Sequence, residues 1–257
     1  MFGVNVNLGD YSSFVETIIS QASSEGYSGY VCVANVHMLM EAYHSDRFTQ
    51  ILNRASLVTP DGIPLRWALR FLFGIKQDRV AGMDLLSDLL TAAERHNIPV
   101  GIYGGAQEML DKAKIYFEKM YPGLVLAKIY SPPFRPLTAL EDEEIIQMFN
   151  ESGARLIFVV LGCPKQEKWM ASMQNRIHGI TIGIGAALPV LAGVYKRAPI
   201  WMQKSGLEWL YRLGQEPRRL FKRYATTNSL FLYLLLREKF RISKKIPDEM
   251  KGPEESL

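Results

Sequence analysis

The stretch Leu156–Met170 reads LIFVVLGCPKQEKWM. Six apolar residues open it, a short continuous run of the kind shown by a strand buried on both faces of a parallel sheet. The run breaks at Gly162-Cys163-Pro164 and gives way to Lys165-Gln166-Glu167-Lys168-Trp169, a helix opening with proline just before its first turn. A buried strand that ends in a glycine turn and feeds a helix is where open α/β sheets bind ligands, because free N–H groups of the helix N-terminus point there. Lys165, Gln166 and Glu167 stand in that turn and can hold phosphate or sugar hydroxyls. The segment equally fits an ordinary strand-to-helix connection with a solvated polar first turn.

The same alternation extends to both sides. Apolar strands are expected at Val4–Val6, Tyr30–Ala34, Leu57–Thr59, Val100–Tyr103, Val125–Tyr130 and Ile180–Ile184. Between them, helices are expected over Tyr11–Ser23, Met38–Tyr43, Arg47–Ala55, Ile63–Phe73, Gly82–His96, Gln107–Tyr121 and Glu141–Ser152. Strand, glycine turn and amphipathic helix in rotation specify an α/β fold with a Rossmann-like parallel sheet core. Right-handed crossovers would line the glycine turns along one sheet edge. After Gly193 no strand follows. Helices are expected over Ile200–Leu213 and from Pro217 to about Phe240, a C-terminal helical appendage. The expected organisation is a Rossmann-like core over residues 1–195 and a basic helical appendage over 196–245. The polar, acidic stretch 246–257 is expected to be disordered.

A chain of 257 residues, 48% hydrophobic, suits one large domain or one domain with an appendage. Its two cysteines, Cys32 and Cys163, match neither a disulfide framework nor a zinc site, so a reducing compartment is the default. The N-terminus, MFGVNVNLGDY, lacks a basic region followed by an apolar run, and no signal peptide is expected. No apolar run approaches the roughly 18 residues that a spanning helix needs. The net charge of +4 is unevenly spread: thirteen Lys/Arg face three Glu between Lys196 and Lys245, which leaves residues 1–195 mildly acidic.

Several constellations bear on chemistry. Gly101-Ile102-Tyr103-Gly104-Gly105-Ala106 lacks the dinucleotide spacing and the acidic partner after the next strand, so it is a weak nicotinamide site. Gly104, Gly162 and Gly185, each just past a strand, can let backbone approach a phosphate. Asp61, between Pro60 and Gly62 after a strand, is the best catalytic carboxylate, although Asp-Gly is also a common turn. His37, His44, His96 and His178 form no i, i+4 pair, and Glu141 to Glu144 lie at a helix start where the dipole favours them. No metal site is therefore expected. Lys196-Arg197 begins the basic zone, and Arg218, Arg219, Lys222 and Arg223 share one helix face interleaved with Leu220, Phe221 and Tyr224. That face reads as a membrane-surface element or as the solvated side of a packed helix. Nucleic acid is not expected, for want of a recognition motif or stacking sheet.

In combination these segments resemble the WecG/TagA/CpsF glycosyltransferases, glycosyltransferase family 26. The resemblance runs through Asn35, Pro60-Asp61-Gly62, Arg79-Val80-Ala81-Gly82-Met83-Asp84, Tyr103-Gly104-Gly105, Leu161 to Trp169, Gly183-Ile184-Gly185, Ala192 to Pro199, Gly206 to Arg212 and Glu216-Pro217, roughly Phe2 to Phe240. It implies inverting, metal-independent transfer of a sugar from a UDP-sugar to a polyprenyl-diphosphate-linked sugar at the inner face of a bacterial membrane. No cofactor is implied, and family members are peripheral and can form homo-oligomers. The family's base falls on Asp61 and its donor-site residues on Asn35, Arg79, Gln166 and Glu167. Its diphosphate-binding arginines would be drawn from Arg212, Arg218 and Arg219, with Arg197, Lys222 and Arg223 beside the same anionic surface. Val33 and Pro189 stand where some members carry Thr and Asp, and neither can supply the hydrogen bond those residues make. The rival readings are a nucleotide- or lipid-binding scaffold without catalysis and a Rossmann oxidoreductase.

Overall fold

The structure, a computed structural model, describes residues 1–245. The stretch 246–257, expected to be disordered, lies outside the described residues. Six strands, β1 (Ser28–Ala34), β2 (Leu57–Pro60), β3 (Val100–Tyr103), β4 (Leu126–Tyr130), β5 (Leu156–Val159) and β6 (Gly179–Gly183), form one parallel sheet in the order β2-β1-β6-β5-β3-β4. All six therefore end on the same edge. Strand β5 is buried throughout and sits between β6 and β3, with Leu156 opposite Ile180 and Val100.

Helices cover both faces. On one lie α1 (Tyr11–Ser23), α5 (Gly82–Arg95), α6 (Gln107–Met120) and α9 (Ala187–Leu191). On the other lie α2 (Val36–Tyr43), α3 (Asp46–Asn53), α4 (Ile63–Phe73), α7 (Ala139–Glu151), α8 (Lys165–Met173) and α12 (Pro217–Lys245). Two short helices, α10 (Ile200–Lys204) and α11 (Glu208–Gln215), connect α9 to α12. Side chains alternate between the two cores as the pleat requires: Val31 and Val33 enter the first, Tyr30, Cys32 and Ala34 the second. The crossovers β1→β2, β4→β5 and β5→β6 travel one way and carry α2, α3, α7 and α8 on one face. Those to β3 and β4 travel the other way and carry α5 and α6 on the opposite face, as right-handed connections demand. The chain leaves β3 and β5 in opposite directions, which opens a crevice at their ends beside Gly104 and Gly162.

Three local expectations are corrected, and one helix that was not expected is added. Val4–Val6 forms no strand. The segment meets the sheet through Asn7, whose N–H donates to the Val58 carbonyl (2.9 Å) and whose Oδ1 accepts the Val58 N–H (2.7 Å). A side-chain oxygen thus takes the place of the carbonyl that would continue a ladder. Strand β5 stops at Val159, two residues short of the apolar run. Residues 187–191 form the short α9. Finally, Ile200–Leu213 is broken at Gly206, whose φ of 74° is left-handed and whose Cα lies so near Ile63 that a Cβ would stand 3.2 Å from that side chain. The appendage returns to the core: Leu220, Phe231 and Leu234 of α12 are buried, and Phe231 meets Phe2 edge-on at 5.8 Å.

Candidate active site

Strands β1 and β2 deliver the first group of residues. Asn35, just past β1, caps α2, its Oδ1 accepting the Met38 N–H (3.2 Å). Asp61, just past β2, is fastened beside it by donation of its N–H to the Ala34 carbonyl (2.7 Å). Gly62 then turns with φ 87° into α4. The Val80 N–H donates to the Pro60 carbonyl (3.1 Å), which brings Arg79 to the same place from the segment between α4 and α5.

Arg79 is held from the appendage. Its Nη2 pairs with the Glu208 carboxylate on α11, its Nη1 donates to the Gln203 carbonyl (3.4 Å), and its buried Nε has no protein partner. Arg212 lies four residues beyond Glu208, on the same side of α11. Asp61 therefore lies among two guanidiniums and one carboxylate. Burial pushes its pKa up to about 7; Arg79, then Arg212 and the Gly82 N–H, favour the ionised form, and Glu208 opposes it. Asp61 keeps part of its surface open to solvent, so the site is desolvated yet reachable.

The second group lies across β6 and β5. The Gly162 N–H donates to Gln166 Oε1 (3.1 Å), and Gln166 Nε2 donates to Glu167 Oε1 (2.8 Å). A Cβ on Gly183 would meet Gln166 Nε2 at 2.7 Å, and one on Gly185 would meet Oε1 at 3.6 Å. Gly162, Gln166, Gly183 and Gly185 thus form one ledge of backbone and amide at the strand ends. Glu167 stands behind it, 0% exposed, its pKa raised by burial, and the orientation of the Gln166 amide follows from it. Gly104 has φ 100° and packs so tightly that a Cβ would strike the Val160 carbonyl at 2.9 Å. It closes the crevice between β3 and β5.

The basic residues divide into three kinds. Arg212 and Arg223 are half-buried. Arg223 lies over the Tyr224 ring (5.3 Å) and has a buried unpartnered Nε; burial first, and Arg223 second, hold the nearby His37 pKa down. Arg197 pairs with Asp84, and Arg219 with Glu216. Arg218 and Lys222 are exposed. Val33 faces α5, 3.6 Å from where a Gly82 Cβ would stand, and Pro189 lies in α9, its carbonyl accepting the Val194 N–H (2.9 Å). Among the described residues no three His, Cys, Asp or Glu side chains gather as metal ligands would, and no helix is long and apolar enough to cross a membrane.

The sequence pattern of the Glycosyl transferase WecG/TagA/CpsF family matches residues 1–245. The chain belongs to that family. As a member it is a glycosyltransferase, and it is similar along most of its length to proteins named N-acetylglucosaminyldiphosphoundecaprenol N-acetyl-beta-D-mannosaminyltransferase. One, of Staphylococcus aureus (strain MW2), is 26% identical over 216 residues, 84% of this chain and 82% of its own. Another, of Bacillus spizizenii (strain ATCC 23059 / NRRL B-14472 / W23), is 27% identical over 211 residues, 82% of this chain and 80% of its own.

In this family member the structure brings Asn35, Asp61, Arg79 and Arg212 into one group and Gly162, Gln166 and Gly185 into another. Arg218 and Lys222 stay on the surface. Sequence reading passed over Glu208 as a site partner. Its one signal was the i, i+4 spacing to Arg212 on a helix already suspected of supplying arginines.

Proposed function

We propose that this glycosyltransferase moves a sugar from a UDP-sugar to a polyprenyl-diphosphate-linked sugar, inverting the anomeric centre without a metal. N-acetylmannosamine, its uronic acid or a related hexose is the donated sugar, and the setting is bacterial cell-surface polysaccharide synthesis. The observation that carries the reading is Asp61: a carboxyl at the ligand edge, tuned to about pH 7 and flanked by Arg79 and Arg212. A base with that pKa is matched to taking a proton from a sugar hydroxyl near neutrality. The acceptor oxygen forms its bond to the anomeric carbon as its proton passes to Asp61. On the opposite side the bond to the UDP oxygen breaks, and the electron pair leaves with the diphosphate.

Guanidiniums and N–H groups placed where that charge develops do the work a divalent cation does elsewhere. Arg79 and Arg212 are the cations beside Asp61, and the Gly162–Gln166–Gly185 ledge and Asn35 line the strand ends where the donor would lie. Glu167 serves by holding Gln166. The lipid-linked acceptor of the named relatives, and the exposed cations Arg218 and Lys222, support a peripheral position on the inner face of the cell membrane.

The test is transfer from a panel of UDP-sugars to N-acetylglucosaminyl-diphospho-polyprenol, with and without EDTA. One donor should give a product of inverted anomeric configuration at an unchanged rate in chelator. UDP binding without transfer from any donor would favour the non-catalytic scaffold. Loss of rate in EDTA with recovery on Mn²⁺ or Mg²⁺ would overturn the metal-free mechanism.

A further inference from the structure

From Ile63 to Gln77 the chain carries no acidic residue. Leu65, Ala68, Leu69 and Leu72 fill the buried side of α4, and its solvent side carries Arg66, Trp67, Arg70 and Phe71. Trp67 is 63% exposed and Phe71 42%. Trp67 lies one turn beyond Ile63, the residue that Gly206 touches, and one turn before Phe71. Lys239 of α12 lies over the Phe71 ring (Nζ 5.2 Å from its centre) and donates to the Phe71 carbonyl (2.8 Å). Around that contact the exposed side of α12 carries Leu236, Arg237, which lies over the Tyr43 ring (5.9 Å), Phe240 and Arg241. Aromatic and cationic side chains thus alternate over two adjoining helices, beginning one turn from the Asp61 end of α4.

Single exposed apolar residues are ordinary, but a row of aromatics set among cations, with no acid on α4 and on α12 only the half-buried Glu238 beside Arg241 (3.8 Å), has a specific match. Indole and phenyl rings settle at the headgroup level of a bilayer while guanidiniums and ammoniums meet lipid phosphates. A second copy of this chain would instead present the same cations to one another, which is repulsive. We propose that α4 and the C-terminal half of α12 form the surface that lies on an anionic bilayer, with Trp67 and Phe71 entering the headgroup layer. The inference rests on the peripheral-membrane reading above, but it names a different surface from the Arg218–Arg223 row. It also sets the mouth beside Asp61 at lipid level, where a lipid-linked sugar is presented.

The experiment uses the full chain and sedimentation with phosphatidylglycerol-containing and pure phosphatidylcholine vesicles. Trp67→Ser/Phe71→Ser should lower partitioning onto the anionic vesicles by about tenfold or more, with the melting temperature little changed. Ile115→Ser/Phe134→Ser, which removes exposed apolar side chains elsewhere, should leave partitioning unaltered. In Trp67→Phe, quenching of tryptophan fluorescence by bromine-labelled lipid should fall. Equal partitioning of Trp67→Ser/Phe71→Ser and the unaltered chain, with loss only in Arg218→Gln/Lys222→Gln, would overturn this surface and leave the membrane reading standing. An unaltered chain that stays off anionic vesicles would overturn both. A change of oligomeric state in Trp67→Ser/Phe71→Ser without vesicles would assign the face to a second copy instead.

Discussion

Asp61 carries a stability signature that is independent of any substrate. Its pKa is about 7 in the fold and near 3.8 when the chain is unfolded, because burial disfavours the carboxylate more than Arg79 and Arg212 favour it. The unfolded chain therefore releases this proton first, and the fold is penalised progressively as pH rises from about 4 to about 7. Asp61→Asn removes the ionisable group. Its melting temperature relative to the unaltered chain should rise between pH 4 and pH 8, a trend read by calorimetry at both ends. Gly183 supplies a second residue-scale test. A methyl group there would collide with the Gln166 amide at 2.7 Å and push it off the ledge. Gly183→Ala should weaken UDP binding by about tenfold while costing roughly 1–3 kcal/mol of stability, measured by titration calorimetry and thermal melting. The positions of Asp61 and Gly162 at the sheet edge were legible in the sequence because each follows an apolar run, whereas Asn35 and Arg79, and the donor-site role of Gln166 and Glu167, came only through the family resemblance. Glu208 was not legible, because nothing in its own neighbourhood says that a carboxylate 147 residues beyond Asp61 closes over Arg79.

Among the elements, the strands were the easiest to read, since burial on both faces leaves continuous apolar runs with no competing period. The break between α10 and α11 was hidden because IWMQKSGLEWLYRL keeps a helical pattern across it. Only the approach of Gly206 to Ile63, a tertiary contact, shows why the helix must stop. The face of α12 was ambiguous for a similar reason: a basic helix with apolar residues fits both a membrane and a protein core. The structure divides it, with Leu234 buried and Lys222 exposed. Leu234→Ala should destabilise the protein by roughly 2–4 kcal/mol. Lys222→Glu should leave stability within about 0.5 kcal/mol and lower vesicle binding. Chemical denaturation paired with sedimentation separates the two, and equal destabilisation by both would show that the helix is not divided in this way.

At the scale of the molecule, a doubly covered parallel sheet collects every strand end on one edge, and the appendage brings Glu208 and Arg212 to that edge from outside the sheet. The positive excess of residues 196–245 lies on the same segment that crosses α2 and α4, so charge and site are joined by the fold. Vesicle binding should weaken as salt rises from low to high concentration, because exposed charges are screened beyond about 10 Å at 0.1 M. Binding unaffected by salt would leave only apolar insertion as the source of docking. The sheet order and the return of α12 were not legible, since they depend on which apolar faces meet.

The most direct test of Asp61 as the base is the pH dependence of transfer to the lipid-linked acceptor, measured for the unaltered enzyme and Asp61→Asn with UDP affinity determined in parallel. The unaltered enzyme should lose about tenfold in kcat/KM per pH unit below about 7. The Asn variant should be slower by about 10² to 10⁴ with UDP still bound and that acid limb gone. Near-normal turnover in Asp61→Asn, or an acid limb that persists without the carboxyl, would contradict the account.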